Sequence, residues 1–237
     1  SFPTRRSSDL DLAVEHKADA SPVTAADRAA EAAIRACIDH ACPDDAWLGE
    51  ETGTSTGTSG RRWIVDPIDG TRNFVHGIPL WATLVACEED ERVVAAAVHL
   101  PALGERYDAV RGGGARCDGQ TIRVADDRAL AETLWCYEVP GRFHDLGLGP
   151  VFTQLCRGTA LQRGLGDAYG HMLVASGRAG LVIEPELSVW DVAATSLVVT
   201  EAGGRFSDLD GSDSIHSGHA VISNGHLHDD ALRLIAA

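Results

Sequence analysis

One stretch, residues 63–74 (WIVDPIDGTRNF), constrains this chain more than any other. It starts as an apolar run typical of a buried strand and ends with residues that commonly begin a helix. Pro67 disfavours helical backbone at the residue before it, so we expect the strand to end at Asp66. The stretch therefore predicts two carboxylates, those of Asp66 and Asp69, between the end of a strand and the start of a helix.

The residues around this junction suit a particular chemistry. Gly70 permits a tight turn, and Thr71 brings a hydroxyl to the first turn of the helix. Carboxylates are ligands that Mg²⁺ prefers, and free N–H groups at a helix N-terminus can bind phosphate. Metal-assisted hydrolysis of a phosphate ester needs both side by side. A lone D-P-x-D-G sequence is more often a simple turn and cap, and that alternative stays open on these residues alone.

Two distant stretches change this balance. One is residues 47–51 (WLGEE), and the other is residues 189–194 (VWDVAA), which residues 200–204 (TEAGG) follow. Together with residues 66–74 they resemble the inositol monophosphatase superfamily of Mg²⁺-dependent, lithium-sensitive phosphatases. The resemblance runs from about Lys17 to the C-terminus and rests on three motifs in the same order.

Length, composition and charge limit the function classes. The chain has 237 residues, of which 44% are apolar, and a net charge of −15. A negative chain is a poor partner for nucleic acid or anionic membranes, and no apolar run approaches the ~18 residues of a membrane span. Bound cations would let a negative protein accept an anionic substrate, here a small phosphate monoester. Residues 1–10 show no periodicity, and we expect them not to be native.

The cysteines and histidines give weaker signals. The six cysteines are scattered without a C-x-x-C pair, which favours buried thiols in a reducing cytoplasm over a disulfide framework. Four histidines form two pairs, at positions 216 and 219 and at positions 226 and 228. Zinc is an alternative on spacing alone, but solvated loop histidines are the more common case because no cysteine accompanies them.

Apolar periodicity predicts the main elements. We expect a helix over residues 24–39 with Thr24 as its N-cap, and strands over residues 80–87, 93–100, 104–109 and 121–124. Later residues predict a strand over 134–137, a loop over 140–150, a helix over 151–161 and a strand over 181–184. Two further helices would start at Asp167 and Asp191, with those aspartates as N-caps.

The resemblance implies a fold and an assembly. It implies a layered α/β sandwich of the inositol-monophosphatase type, with an α+β lobe built on an antiparallel sheet over residues 1–125. That lobe would carry most of the metal ligands. A smaller α/β lobe over residues 126–237 would carry Asp191 and the substrate-recognition residues. The resemblance also implies a homodimer.

The same resemblance implies roles for individual residues. Four carboxylates and one backbone carbonyl would hold two or three Mg²⁺ ions, and these belong to Glu50, Asp66, Asp69, Asp191 and Ile68. Asp27 would orient Thr71, and this pair, with Glu50, would activate the attacking water. The N–H groups of Gly70, Thr71 and Arg72 would hold the phosphate. Without the resemblance, Asp27 is simply a first-turn helix acid, and Glu50 and Glu51 form a solvated pair.

The substrate is the finer question. Residues 166–170 (GDAYG) and 184–191 (EPELSVWD) look most like the histidinol-phosphatase branch. Asp167 and Glu184 would then surround a leaving group that carries an ammonium and an imidazole, with Arg163 shaping the pocket. Leu165 stands where that branch leads us to expect an aromatic residue. The alternatives are an inositol-1-monophosphatase, a 3′-phosphonucleotide or sugar phosphatase, and a non-catalytic relative that binds a metal or a partner.

Overall fold

The computed structural model describes residues 14–16 and 22–237. Residues 1–10, which we expected not to be native, lie outside this part of the chain. The helices are α1 (Ala25–Ala41), α2 (Thr71–Val75), α3 (Pro140–Asp145), α4 (Gly149–Gly158), α5 (Asp167–Ala175), α6 (Val189–Glu201) and α7 (His228–Ile235). The strands are β1 (Val14–His16), β2 (Pro22–Thr24), β3 (Ala46–Gly49), β4 (Gly53–Ser55), β5 (Arg61–Asp69), β6 (Ala82–Glu89), β7 (Arg92–Leu100), β8 (Glu105–Val110), β9 (Ala115–Cys117), β10 (Gln120–Thr121), β11 (Leu134–Cys136), β12 (Leu161–Arg163), β13 (Leu181–Glu184), β14 (Arg205–Ser207) and β15 (Ala220–Ser223).

The larger sheet is almost entirely antiparallel. Its strand order is β10-β9-β8-β7-β6-β5-β3-β4, and the one parallel pair within it joins β3 to β5. Short turns connect the central strands, and Asp90 and Glu91 between β6 and β7 both have positive φ, of 50° and 59°. Such a turn matches the right-handed twist of the strands that it joins. The predicted strands from residue 80 to residue 109 are confirmed, whereas only Thr121 of the stretch 121–124 lies in a strand.

The smaller sheet is mixed. Its strand order is β12-β11-β13-β15-β14, with β11 parallel to both of its neighbours and β15 antiparallel to β13 and β14. Since β11 and β13 run in the same direction, the residues that follow them lie at the same edge of the sheet. The two sheets with their helices form a layered α/β fold, as the resemblance implied.

Helix α6 joins the two sheets. It packs against β6 and β7 of the larger sheet and against β14 of the smaller one, with α5 at its side. Consequently one apolar cluster contains Leu84 and Val98 from the larger sheet together with Met172, Val192 and Val198 from the later helices. The division of the chain at residue 125 stays a prediction, and the core is continuous across it.

Helix α1 forms because its sequence is rich in alanine and has a strong N-cap. The Thr24 hydroxyl accepts a hydrogen bond from the N–H of Ala26 (3.1 Å), and the N–H of Thr24 donates to Oδ2 of Asp27 (2.8 Å). The predicted helix and its cap are therefore confirmed. Two acidic residues on this helix, Asp27 and Glu31, are buried on the side that faces β5.

The predicted loop over residues 140–150 is wrong in part, because α3 lies within it. Pro140 occupies the first turn of α3, where a missing N–H costs nothing. Phe143 of this helix is buried, with its ring 6.0 Å from that of Trp135 and 5.1 Å from that of Phe152. This packing stabilises a helix that the neighbouring glycines alone would disfavour.

Two further expectations concern bilayers and thiols. Among the described residues, no helix has both the length and the apolar character needed to cross a membrane. All six cysteines fall within the described part of the chain and are free thiols. Cys87 and Cys136 are buried as expected, but Cys37 is exposed, so the prediction of buried thiols is wrong for Cys37.

Candidate active site

The end of β5 carries the first two carboxylates of the site. We predicted that the strand would end at Asp66. In the structure it continues to Asp69. Its register against β6 shifts between Asp66 and Asp69, because Pro67 has no N–H for the ladder and pairing resumes only at Asp69 opposite Ala82. Gly70 follows with a φ of +79°, which turns the chain into α2 without strain.

A third carboxylate joins these two from α6. An oxygen of Asp66, one of Asp69 and one of Asp191 all lie within 4.8 Å of one another. Asp66 and Asp69 are only 2% and 5% exposed, whereas Asp191 retains some solvent contact. Among the described residues, this is the one group of three or more acidic, histidine or cysteine side chains that could hold a metal ion, so the paired histidines form no such group.

Asp191 has a different place in its helix from the one predicted. Ser188 is the N-cap of α6, and Asp191 lies three residues later, where its Oδ2 accepts a hydrogen bond from the N–H of Ser188 (2.6 Å). This reciprocal arrangement is a capping box, and the pattern Ser-x-x-Asp could have revealed it. The bond fixes one carboxylate oxygen of Asp191 to the helix end.

The electrostatics of the group favour a bound cation. Burial, followed by the charges of Glu50 and Asp69, raises the pKa of Asp66 well above its usual range. Burial and then the charges of Asp167 and Asp191 do the same to the pKa of Asp69. Burial is also the main cause that raises the pKa of Asp191, to about 7. Hard oxygen donors whose negative charges repel one another fit Mg²⁺, since a divalent ion removes that repulsion.

The other two predicted ligands lie beside this group. Glu50 follows β3, lines the same cavity as the three aspartates and is close enough to Asp66 to raise its pKa. Ile68 lies between Asp66 and Asp69. Its N–H donates to Oδ1 of Asp66 (3.0 Å), and its carbonyl accepts a hydrogen bond from the Thr71 hydroxyl (2.9 Å). The ligand roles of Glu50 and Ile68 stay predictions.

Asp27 and Thr71 meet as the resemblance implied. The Thr71 hydroxyl lies 3.3 Å from Oδ1 of Asp27. The other oxygen, Oδ2, accepts hydrogen bonds from the N–H of Thr24 (2.8 Å) and from its hydroxyl (2.6 Å). Since Thr24 holds Oδ2, Oδ1 is left to face Thr71.

A cavity of about 460 Å³ opens beside the three aspartates. Gly70, Thr71 and Arg72, the predicted phosphate-binding residues, are in its wall. Leu165 is also in the wall, so an aliphatic side chain stands where we expected an aromatic one. We predicted that Arg163 would help to shape the substrate pocket, but it does not line the cavity. It is exposed on β12 and donates a hydrogen bond to the carbonyl of Gln162 (2.7 Å).

Further carboxylates line the same cavity, among them those of Asp167 and Glu184. Asp167 lies next to Asp69, because the N–H of the following residue, Ala168, donates to Oδ2 of Asp69 (2.7 Å). We predicted Asp167 as the N-cap of α5, but the N-cap is Gly166. Asp167 is the first residue of the helix and has an unusual φ of +55°. Two hydrogen bonds hold it there, from its N–H to Oε1 of Glu184 (3.0 Å) and from Nδ2 of Asn73 to its Oδ2 (3.2 Å). Glu184 is 4% exposed, and its second oxygen lies 3.0 Å from Nε2 of His171. That contact is close but poorly aligned as a hydrogen bond.

Sequence reasoning missed Glu138, which lines the same cavity. It follows β11, as Glu184 ends β13, and the parallel direction of these strands brings both to one edge. Gly166 lets the chain approach closely here, because a Cβ added to it would lie 2.3 Å from that of Glu138. Burial among protein atoms, followed by the charge of Glu184, raises the pKa of Glu138 to about 7. Glu138 is nevertheless exposed in part, so solvent partly screens its charge.

Comparison with known proteins agrees with this geometry. The sequence model of the inositol monophosphatase family matches residues 4–237. A histidinol-phosphatase from Streptomyces coelicolor is 43% identical over 232 residues, which are 94% of this chain and 87% of that protein. An inositol-1-monophosphatase from Mesorhizobium japonicum is 39% identical over 225 residues, covering 93% of this chain and 85% of that one.

Solved structures show the same likeness. The extragenic suppressor protein suhB from Bartonella henselae superimposes with a TM-score of 0.89 at 33% identity, over 95% of this chain and 88% of that one. The family match spans nearly the whole sequence, and it includes every residue of the site described above. The chain therefore belongs to the inositol monophosphatase family.

Proposed function

We propose that this protein is a Mg²⁺-dependent phosphomonoesterase that hydrolyses L-histidinol phosphate to L-histidinol and phosphate. The observation that carries the proposal is the cavity itself. Three aspartates come together beside the start of α2, and a second set of carboxylates, those of Glu138, Asp167 and Glu184, lines the same cavity. The three aspartates suit a metal beside a phosphate, and the second set suits a cationic leaving group.

Five groups would hold the metal, and we propose two or three Mg²⁺ ions. The carboxylates are those of Glu50, Asp66, Asp69 and Asp191, and the carbonyl is that of Ile68. When bound, Mg²⁺ supplies Lewis acidity toward the attacking water and neutralises the charge that develops on the phosphoryl group. The raised pKa values of Asp66, Asp69 and Asp191 support this assignment. Burial and neighbouring negative charges raise them, and a bound cation would offset both effects.

The chain's own residues orient the water and the phosphate. Thr71 can accept the water's proton as its hydroxyl proton passes to Oδ1 of Asp27, which lies 3.3 Å away. The N–H groups of Gly70, Thr71 and Arg72 precede the hydrogen-bonded part of α2 and would bind the phosphate oxygens. No covalent phosphoenzyme is needed, since the water attacks phosphorus directly and the leaving alkoxide takes up a proton.

Recognition of the leaving group separates this proposal from its alternative. Asp167 and Glu138 offer carboxylates to the ammonium or imidazole of histidinol, while Glu184, whose oxygens already contact Asp167 and His171, fixes Asp167 in place. The relative named histidinol-phosphatase supports this reading. The alternative substrate is inositol 1-phosphate, because carboxylates also accept hydroxyl donors and a relative at 39% identity is named inositol-1-monophosphatase.

The other hypotheses have less support. A 3′-phosphonucleotide or sugar phosphatase stays an alternative of the same fold, although none of the described residues that line the cavity has an aromatic side chain that could stack on a base. A non-catalytic metal-binding relative would have no need for the Asp27–Thr71 contact.

We further propose that the protein is a homodimer and that it is located in the cytoplasm. A reducing cytoplasm suits a protein whose six cysteines are free thiols.

Phosphate release from L-histidinol phosphate tests the proposal. With Mg²⁺ we expect turnover, and with the chelator EDTA we expect a rate at least ~100-fold lower, since the metal supplies several kcal/mol of transition-state stabilisation. Re-addition of Mg²⁺ should restore the rate. Turnover that chelation does not diminish would contradict the metal assignment.

A further inference from the structure

Glu31 is a buried carboxylate close to the site, to which the reaction described above gives no role. It lies on α1 four residues after Asp27, so the two side chains share one face of the helix. Both are fully buried. A buried carboxylate needs strong partners, because it loses the solvation that water would give it.

The partners of Glu31 all belong to one turn, residues 50–52, which follows β3. Oε2 accepts a hydrogen bond from the N–H of Glu51 (2.8 Å), and Oε1 accepts one from the N–H of Thr52 (2.8 Å). The Thr52 hydroxyl also donates to Oε1 and in turn accepts from Nε1 of Trp47 (3.2 Å). Each carboxylate oxygen is thus bonded to the backbone of this turn.

Close packing shows that the turn is built around this carboxylate. A Cβ added to Gly49 would lie 2.5 Å from Oε1 of Glu31, so glycine at this position is what allows the approach. On the other side, the N–H of Glu50 donates to the carbonyl of Val65 in β5 (3.1 Å). The turn is therefore held between Glu31 and the strand that ends in the aspartates.

The position of Glu50 depends on this turn. The three aspartates form a tight group on their own, and Glu50 is not among them. It reaches Asp66 from a separate segment, so the turn sets how close its carboxylate comes to the other ligands. Buried groups that orient a metal ligand commonly change metal affinity by 10–100-fold when they are replaced.

We propose that Glu31 is a positioning residue that fixes Glu50 at the metal site. By this inference one helix face organises two parts of the site, since Asp27 faces Thr71 and Glu31 holds the turn that carries Glu50. The inference rests on the proposed function in one respect, which is that Glu50 is a metal ligand.

Calorimetric titration of the metal-free protein with Mg²⁺ tests the inference without reference to turnover. Glu31→Gln puts an amide where two N–H donors converge, and we expect Mg²⁺ affinity about tenfold lower. At saturating Mg²⁺ the kcat should stay within about threefold of wild type. The matched control is Glu88→Gln, another buried glutamate, which pairs with Arg62 (2.6 Å) and does not line the cavity. It should lower thermal stability but not Mg²⁺ affinity.

A milder variant covers the case in which Glu31→Gln does not fold. Thr52 is exposed, and Thr52→Val removes only the hydroxyl that donates to Glu31, so we expect Mg²⁺ affinity to fall about twofold to threefold. Unchanged affinity in both variants, while Glu50→Gln weakens binding, would overturn the inference alone. Unchanged affinity in Glu50→Gln would overturn its premise. A wild-type protein that binds no Mg²⁺ would overturn the proposed function as well.

Discussion

The Thr71 hydroxyl lies 3.3 Å from Oδ1 of Asp27, although the two residues are 44 positions apart. The contact exists because α1 packs against β5 and Gly70 turns the chain at the end of that strand. Thr24 occupies the other carboxylate oxygen, so Asp27 has one oxygen directed at Thr71. The role that we propose for the pair is to remove a proton from a water molecule next to the aspartates.

Removing the Thr71 hydroxyl should therefore slow turnover. General base catalysis contributes 10²–10⁴-fold, and we expect Thr71→Val to lower kcat by ~100-fold or more with little change in KM. Thr153→Val is a matched control, because the Thr153 hydroxyl bonds only to its own helix, at the carbonyl of Gly149 (3.0 Å). Steady-state kinetics at saturating Mg²⁺ gives the comparison, and a kcat near wild type in Thr71→Val would contradict this role.

Replacing Asp69 is the most demanding test of the proposed metal-ligand assignment. Asp69→Asn keeps the shape of the side chain and an oxygen for the N–H of Ala168, which donates to Oδ2 at 2.7 Å. We expect it to abolish measurable turnover while leaving the circular dichroism spectrum and the fold intact. Near-normal activity in this variant would rule out the assignment. Asp126→Asn, at a highly exposed side chain, should leave activity unchanged.

The raised pKa of Asp191 predicts how the stability of the metal-free protein depends on pH. Burial raises this pKa from an ordinary 3.8 to about 7, so folding favours the protonated form. The associated stability is fully present below about pH 3.8 and is lost as the pH rises through 7. In EDTA, Asp191→Asn should thus unfold at a higher temperature than wild type at pH 8.

The size and the control of this effect follow from the same argument. Asp191 keeps some solvent contact, so we expect about 1 kcal/mol, which is a rise of roughly 2–4 °C for a chain of this size. At pH 4 the two proteins should unfold at similar temperatures. An equal difference at both pH values would mean that the effect is packing and not ionisation. Mg²⁺ should stabilise wild type more at pH 8 than at pH 5.

Glu138 should affect substrate preference and leave the chemical step unchanged. Glu138→Gln removes a charge from the wall of the cavity, and we expect kcat/KM for L-histidinol phosphate to fall about tenfold, mostly through KM. Activity toward inositol 1-phosphate, a substrate with a neutral leaving group, should change less than twofold. Glu132→Gln on the exposed surface serves as the control. Equal losses for both substrates would show that Glu138 does not select by charge.

Local sequence signals predicted the elements that local chemistry decides. Strands β6–β8, the Thr24 cap of α1 and the turn at Gly70 follow from short-range patterns, namely short apolar runs, an N-cap residue and a glycine, and the structure has all of them. The resemblance predicted that Asp66, Asp69 and Asp191 would come together, which no periodicity could show, since Asp191 comes from a distant part of the chain.

The predictions from the sequence were wrong where contacts between distant parts of the chain determine the structure. Helix α3 depends on the burial of Phe143 against Trp135, and no pattern within residues 140–150 reports that contact. Glu138 reaches the cavity because β11 runs parallel to β13, an order of strands that the sequence does not display. The prediction for Arg163 failed in the opposite way. Its position in the sequence suggested that it would lie in the cavity, but its side chain on β12 is exposed to solvent.

The central claim is the identity of the substrate, and one comparison tests it most directly. Phosphate release in Mg²⁺ should be measured with L-histidinol phosphate and with myo-inositol 1-phosphate over matched concentration ranges. We predict a kcat/KM at least ~100-fold higher for L-histidinol phosphate, which corresponds to about 2.7 kcal/mol of differential transition-state binding. An equal or greater kcat/KM for inositol 1-phosphate would contradict the claim, while leaving the metal chemistry of the aspartates standing.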